Sequence, residues 1–329
     1  AISTTRQHMG EQQSLVVCFG EAMLRHSKDS KGMKQITPGG AEYNVACALA
    51  NLGISTKWVT SLPTNNNSEL ITSQAINRGV QLTIFPSTHP VGEYQVLEEQ
   101  DAVLYERSNS AFANLSSGEI NWREQISATR WLVVSGITPL LSEGAKANWG
   151  AAMTFAELDG TLIALDLNHR PSLATFEELW AIVEPKLRQV NLLVTSPDSL
   201  KHVMGHNSLE DLVEMRRRWN IPYLACTWKK QHLRSQERWS AVAHSHGIEN
   251  TQPISVTHQP AEYLGGGDAW LAGFIDGLLE GLNPSDCCHR GDLLAALTQQ
   301  TFGDLGNVSR EELSRWESIE GAVDLLQDR

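Results

Sequence analysis

No stretch of this chain reaches the roughly 18 consecutive apolar residues that a membrane-spanning helix requires. The opening residues, AISTTRQHMGEQQ, lack the apolar run of a signal peptide. Both absences point to a soluble, cytoplasmic protein, with residues 1–13 expected as a disordered tail. Positive charge is also scarce. Against 38 Asp and Glu stand 26 Lys and Arg, a formal net charge of −12, which argues against a nucleic-acid partner because that would need a basic face. Cysteine supplies neither a disulfide framework nor a metal site: Cys18, Cys47, Cys226, Cys287 and Cys288 are odd in number and show no C-x-x-C or Cys/His spacing. Cys18 and Cys226 lie in apolar runs and read as buried thiols, whereas Cys287-Cys288-His289 reads as a helix surface. Several catalytic signatures are missing too. No G-x-G-x-x-G follows the first predicted strand, which excludes a Rossmann dehydrogenase. G-x-x-x-x-G-K-[ST], H-E-x-x-H and G-x-S-x-G are all absent, which excludes Walker-type, zincin and nucleophile-elbow chemistry.

What is present is a core of ample size, with 41% hydrophobic residues over 329 positions. SLVVCFG (14–20) is a β-branched run suited to a buried strand. After a polar segment, Gly39 and Gly40 precede a helix with Val45, Ala48, Leu49 and Leu52 on its apolar face, ended by Gly53. TKWVTSL and SELITSQAINRG continue the alternation as strand and helix. WLVVSG (131–136), TLIALDL (161–167), VNLLVTS (190–196) and PYLACT (222–227) are further strands separated by helical segments. Such alternation predicts βαβ units and a parallel sheet. Residues 81–107 break the rhythm: TIFPST, GEYQVLEE and AVLYERS are strand-like with no helix between them, which predicts antiparallel hairpins inserted as a β flap. DLLAALTQQTF and REELSRWESIEGAVDLLQ read as closing helices.

The stretch from Glu262 to Gly281, EYLGGGDAWLAGFIDGLLEG, carries the chemistry. Gly265, Gly266 and Gly267 run into Asp268 and a helix whose apolar residues Leu271, Phe274, Ile275, Leu278 and Leu279 share one face. Glycines at a helix start let backbone N–H groups converge, and the helix dipole favours an anion there. A carboxylate beside such a site repels the anion unless it serves as a base, taking the proton of a hydroxyl that attacks a phosphoryl group held at the glycines. The alternative is a glycine-rich turn capped by an aspartate.

The early GGAEYNVACALANLG and the late GGGDAWLAGF, in that order, resemble the ribokinase-like (PfkB-type) carbohydrate kinases over roughly residues 14–325. Further traits, GEAMLRHS, VGEYQVLEE, VLYERSNSAFANL, SGITPLLSE, DLNHRPSL, WSAV and TFGDLGNVS, are similar to the branch of that family acting on 2-keto-3-deoxygluconate. The resemblance implies a three-layer α/β/α fold with a mostly parallel sheet and a small β lid, drawn from about residues 24–37 and 88–112 within one domain, 14–329. It implies ATP-dependent phosphorylation of the sugar acid's terminal hydroxyl, giving 2-keto-3-deoxy-6-phosphogluconate. Mg²⁺ carried by the nucleotide is implied, a monovalent cation is a further candidate, and a homo-oligomer is expected because edge strands of a flap seek partners.

Residue roles follow from the same resemblance. Asp268 is the general base, and Gly265, Gly266 and Gly267 form the anion hole. Gly39, Gly40 and Asn44 form the sugar-binding turn. Tyr94, Tyr105 and Arg107 on the flap cover and grip the sugar acid, and Asn168 and Arg170 contact substrate and phosphates. Arg170 precedes Pro171, so its backbone is extended at a strand end, where α/β proteins bind ligands. The arginine fork matches a carboxylate, and Arg107 and Arg170 are the candidates to hold one. The chain departs from the family pattern in three places. The usual acidic residue shortly after the first strand, which grips the sugar, is absent beyond Glu21. The usual N-x-x-E run reads Ser196-Pro197-Asp198-Ser199, leaving Asp198 as the carboxylate. The nucleotide loop, Thr227 to His232, has no glycine, and there Lys229 and Lys230 read as phosphate contacts or as solvated charges. A fructokinase or other ketose kinase, or a weak sugar-acid-binding relative, is the alternative.

Overall fold

Val16–Phe19 (β1) is buried at every residue, and its side chains alternate. Val16 and Cys18 join the core on one side of a sheet, Val17 and Phe19 the core on the other. A strand covered on both faces reads as a continuous apolar run, which is why this segment shows no polar alternation. The computed structural model describes residues 13–97 and 102–327.

The remaining strands, in chain order, begin with Met23–Lys28 (β2), Lys34–Gly39 (β3), Thr56–Leu62 (β4), Gln81–Pro86 (β5), Gly92–Leu97 (β6) and Ala102–Glu106 (β7). Trp131–Ser135 (β8), Leu162–Asp166 (β9), Leu192–Thr195 (β10) and Tyr223–Gln231 (β11) follow. Gln236–His244 (β12), Gly247–Asn250 (β13), Val256–His258 (β14) and Val323–Asp324 (β15) complete the set. The main sheet has the order β15-β14-β12-β11-β10-β9-β8-β1-β4-β5, with β13 alongside β12. From β11 through β5 every pairing is parallel, whereas β12 runs antiparallel to β11. The chain leaves β1 toward β4 and β5, then returns to the other side of β1 through β8. Ligands bind at the carboxyl ends of strands where order reverses in this way.

The helices are Ala41–Asn51 (α1), Asn66–Asn77 (α2), Trp122–Ile126 (α3), Glu143–Asp159 (α4) and Phe176–Val183 (α5). Pro197–Met204 (α6), Leu209–Trp219 (α7), Gly266–Leu279 (α8), Pro284–Gln299 (α9) and Arg310–Glu317 (α10) follow. Residues of α1, α8 and α9 fill one core layer, and residues of α4, α5 and α7 the other. Asp276, wholly buried midway along α8, accepts from Arg290 of α9 at 2.7 Å and from Arg310 of α10 at 2.6 Å, which fixes α8 against both neighbours.

A second sheet, ordered β3-β2-β6-β7, forms the lid. Alternate residues on its inner face, Met23 and Arg25, Tyr94 and Val96, then Tyr105 and Arg107, line one cavity. On the outer face Ile36 and Leu104 are exposed. The body and lid together make the ribokinase-like α/β fold.

Four details correct the reading of the sequence. REELSRWESIEGAVDLLQ is not one closing helix: α10 ends at Glu317, and Val323–Asp324 pairs with β14 as the edge strand β15. TIFP, grouped above with the flap, belongs to β5 and pairs in parallel with β4 at the edge of the main sheet. The lid is not built of antiparallel pairs alone, because β2 and β6 run parallel. Cys287 and Cys288 are buried, not surface residues, because α9 packs between α8 and β12 and is covered along most of its length. The end of VGEYQVLEE and residues 1–12 of the expected 1–13 tail lie outside the described residues.

Candidate active site

Helix α8 starts on Gly265 with a positive φ of 71°, and no side chain caps it. A Cβ on Gly265 would lie 2.2 Å from the carbonyl oxygen of Asp304, so glycine is required both by conformation and by the close approach of the 301–306 loop. The first N–H groups of any α-helix have no intrahelical acceptor. Here no side chain caps them, and Gly265 and Asp268 at this helix start line a lidded cavity.

Asp268 is held through Asn44. That side chain, 5% exposed on α1, donates from Nδ2 to Asp268 Oδ2 at 2.8 Å and to Asp304 Oδ2 at 3.1 Å. Its Oδ1 accepts the Gly40 N–H at 3.4 Å, so one amide joins the start of α1 to the carboxylate at the start of α8. Gly40 packs against the chain after β1, where a Cβ would meet the Glu21 carbonyl oxygen at 2.1 Å. Burial holds the Asp268 carboxyl well above the usual carboxylate range, Asp166 and Asp304 add to the effect, and Asn44 and Arg170 oppose it. A raised carboxyl is suited to proton transfer near neutral pH.

The cavity is about 1150 Å³ and lies between the lid and the carboxyl ends of the parallel strands. Gly39, Gly40, Asn44, Tyr94, Tyr105, Arg107, Arg170, Gly265 and Asp268, singled out in the sequence, all line it. Tyr94 and Tyr105 are register partners on β6 and β7, with ring centroids 5.6 Å apart. Arg107 is engaged already: its Nε and Nη2 donate to Glu21 Oε1 at 2.9 and 2.7 Å, and Ser110 donates to the other Glu21 oxygen. Arg170 is exposed to the cavity with no carboxylate in ion-pair distance among the described residues.

The other candidates lie apart from this wall. Asn168 adopts a left-handed φ of 46°, and its N–H donates to Asp166 Oδ1 at 3.1 Å. Ser196 caps α6 by accepting the Ser199 N–H, with Asp198 in that helix's first turn. Thr227 and Lys229 sit on β11, Lys229 exposed. Gly266 and Gly267 open α8 but do not line the cavity.

Four residues at the site escaped the reading of the sequence. Asp304, nine-tenths buried, shares Asn44 with Asp268. Asp166, at the end of β9, has its carboxyl pushed up to about 7 by burial, against the pull of Arg170. Arg25, 1% exposed on lid strand β2, pairs through both terminal nitrogens with Glu262 at 2.6 and 3.2 Å. Glu262 in turn accepts the Gly303 N–H at 2.7 Å, so the lid is tied to the segment leading into the glycine turn. The traits GEAMLRHS, EYLGGGD and TFGDLGNVS contained all of these but Asp166, and DLNHRP contained Asp166. Their pairings join positions more than 200 residues apart, which spacing along the chain does not reveal.

A β-lidded parallel α/β body closing on an uncapped helix and a raised aspartate defines a site for transfer to a small polar substrate. The chain belongs to the pfkB family of carbohydrate kinases, whose model matches residues 13–219. It is 26% identical over 328 residues to the 2-dehydro-3-deoxygluconokinase of Bacillus subtilis, covering 93% of this chain and 96% of that one. To the 2-dehydro-3-deoxygalactonokinase of Haloferax volcanii it is 25% identical over 313 residues, covering 91% and 95%. The crystal structure of 2-dehydro-3-deoxygluconokinase from Thermotoga maritima superposes with a TM-score of 0.86 at 25% identity, covering 94% of this chain and 99% of that one.

Proposed function

We propose that this kinase transfers the terminal phosphoryl group of ATP to the terminal hydroxyl of a 2-keto-3-deoxy sugar acid, 2-keto-3-deoxygluconate or its galacto epimer. The observation that carries the reading is the Asp268 carboxylate, hydrogen-bonded by Asn44 at the open start of α8, in a lidded cavity that also holds the unpaired Arg170. Asp268 Oδ2 is taken by Asn44, and Oδ1 makes no hydrogen bond among the described residues, so Oδ1 receives the hydroxyl proton. The freed oxygen attacks the phosphorus in line, the bond to the bridging oxygen breaks, and ADP leaves with that electron pair. The N–H groups of Gly266 and Gly267, at the positive end of α8, receive the charge on the transferred group. Among the described residues no group of three or more His, Cys, Asp or Glu is placed to hold a metal ion. Mg²⁺ carried by the nucleotide phosphates would supply neutralising charge there.

Arg170 supplies the free cation for the substrate carboxylate. Arg107 contributes Nη1, its remaining nitrogen, while Glu21 fixes the fork in place. Tyr94 and Tyr105 wall the sugar from above. The neutralised Arg107 also favours a second reading, a neutral ketose such as fructose. Turnover with ATP distinguishes the two: kcat/KM for the keto-deoxy acids should exceed that for fructose and ribose by roughly ten- to a hundred-fold, the worth of one charge-assisted contact. Equal values for acid and neutral sugars would overturn the acid assignment. The exposed Ile36 and Leu104 on the lid's outer face support pairing with a second copy, which light scattering on the purified protein tests directly.

A further inference from the structure

Among the described residues three arginines are buried, Arg25, Arg238 and Arg290, and two of them are balanced. Arg25 pairs with Glu262 at 2.6 Å, and Arg290 pairs with Asp276 at 2.7 Å and Glu317 at 2.5 Å. Arg238, 3% exposed on β12, has no carboxylate within ion-pair distance among the described residues. Its Nη2 donates to Gln299 Oε1 at 3.3 Å, and its Nε has no partner. Asp292, the acid whose charge reaches it, is occupied by the Thr251 hydroxyl at 2.6 Å and the Trp270 indole at 3.0 Å.

The surroundings add positive charge instead of removing it. Lys229 stands directly opposite Arg238 in the β11–β12 register, and like charges so placed repel. His258 on the adjoining strand β14 is wholly buried with both ring nitrogens unpartnered. Burial, together with Arg238 and Lys229, pushes its pKa down to about 3, so it stays neutral. Arg238 lies against the start of α8: a Cβ on Gly266 would come 2.8 Å from its Nη2. A buried cation without a partner is costly to the fold. Here that charge sits behind the glycine turn that opens α8.

We propose that Arg238 is a positioning residue for the nucleotide, its buried charge acting through Gly266, with Lys229 beside it, to hold the terminal phosphates at the start of α8. The inference rests on the kinase reading above and deepens it: bound phosphate is the counter-charge that the protein itself leaves out. Being buried, Arg238 acts across the glycine turn and does not touch the nucleotide.

The test compares Arg238→Met, Arg238→Gln and Arg238→Lys with the parent. Its readouts are ADP affinity and sugar-acid affinity by calorimetry, melting temperature without ligand, and KM for ATP against kcat. Arg238→Met should bind ADP roughly ten-fold more weakly, the order expected for losing a Coulombic attraction across the glycine turn. Its sugar affinity should be unchanged, and without ligand it should melt at or above the parent's temperature, because an unpaired buried charge has been removed. Arg238→Lys, which keeps the charge, should retain most of the ADP affinity. Parent-like ADP binding in Arg238→Met overturns the proposal. So does an Arg238→Lys variant as impaired as Arg238→Met with both melting lower, since that pattern marks a packing role. Should Arg238→Met fail to fold, the Arg238→Gln and Arg238→Lys pair decides by the same ADP comparison. A parent that binds no ADP overturns the kinase reading itself, a result separate from any variant's.

Discussion

Helices α1 and α8 begin on glycine, which has no side chain to accept a first-turn N–H. The other α-helices of the described chain begin on Asn65, Asn121, Ser142, Thr175, Ser196, Ser208, Asn283 or Ser309, each of whose side chains accepts a first-turn N–H. A capped start is worth about 1 kcal/mol of stability. The two helices that forgo it are those that converge on Asn44, Asp268 and Asp304. The contrast separates capped helix starts from two uncapped ones whose glycines line the cavity. Glycine at the open starts also admits close backbone approach, of the Asp304 carbonyl to Gly265 and the Glu21 carbonyl to Gly40.

Placing a side chain at an open start should give the largest combined effect. Gly265→Ala must hold alanine at a φ of 71° and displace the Asp304 carbonyl. The left-handed conformation alone costs roughly 1–2 kcal/mol, and overpacking against backbone adds about 1–3 kcal/mol. We expect the melting temperature to fall by about 5–10 °C for a chain of this size, with turnover lowered because the anion hole and Asp268 move together. A variant matching the parent in both would show that the turn is not held as described.

Acids around the open starts give the second effect, a pH dependence. Asp166 has its pKa pushed up to about 7 by burial, against roughly 3.9 in an unfolded chain. Between those values the native state holds a proton that the unfolded state has lost, so stability falls as pH rises through that window. Glu42, buried on α1 and accepting from Thr138 at 3.1 Å, is shifted the same way by burial. The melting temperature of ligand-free protein should therefore decline from about pH 4 to pH 7. Asp166→Asn should flatten that decline, and an unaltered slope in that variant would mean the charge lies elsewhere.

The smallest effect belongs to the capped class. Ser142→Ala removes the acceptor for the Ala145 N–H, 3.0 Å away, and should cost about 1 kcal/mol of stability, measured by denaturant midpoint. Its turnover should equal the parent's. A large loss of activity from this change would erase the distinction between the two kinds of helix start.

Much of this was legible locally. The glycines before Asp268 announced an uncapped start, and the apolar runs announced strands covered on both faces. The strand-like runs GEYQVLEE and AVLYERS, with no helix between them, announced the β flap that forms the lid. What stayed hidden depended on partners distant in sequence. Nothing near Arg107 shows that Glu21 takes two of its nitrogens, and nothing near Asn44 shows that its amide lies between Asp268 and Asp304. TIFP was misplaced because an edge strand alternates much as a lid strand does, and only its pairing with β4 assigns it to the body. Cys287 and Cys288 sit among charged residues that read as surface, yet Arg290 and Asp292 are themselves buried and satisfied by Asp276, Glu317, Thr251 and Trp270.

The central claim is that Asp268 at the open start of α8 is the general base. Asp268→Asn keeps the side chain's shape and its place beside Asn44 but cannot accept a proton at neutral pH. The decisive measurement is kcat with the preferred sugar acid, taken together with sugar affinity and melting temperature on the same pair of proteins. The account predicts a fall in kcat of roughly 10²–10⁴-fold, the usual worth of a general base. Sugar affinity should stay near the parent's, and the melting temperature should not fall, because a carboxyl whose charged form is disfavoured by burial has been replaced. An Asp268→Asn variant that phosphorylates at the parent's rate would contradict the account and reduce Asp268 to a residue of the helix's first turn.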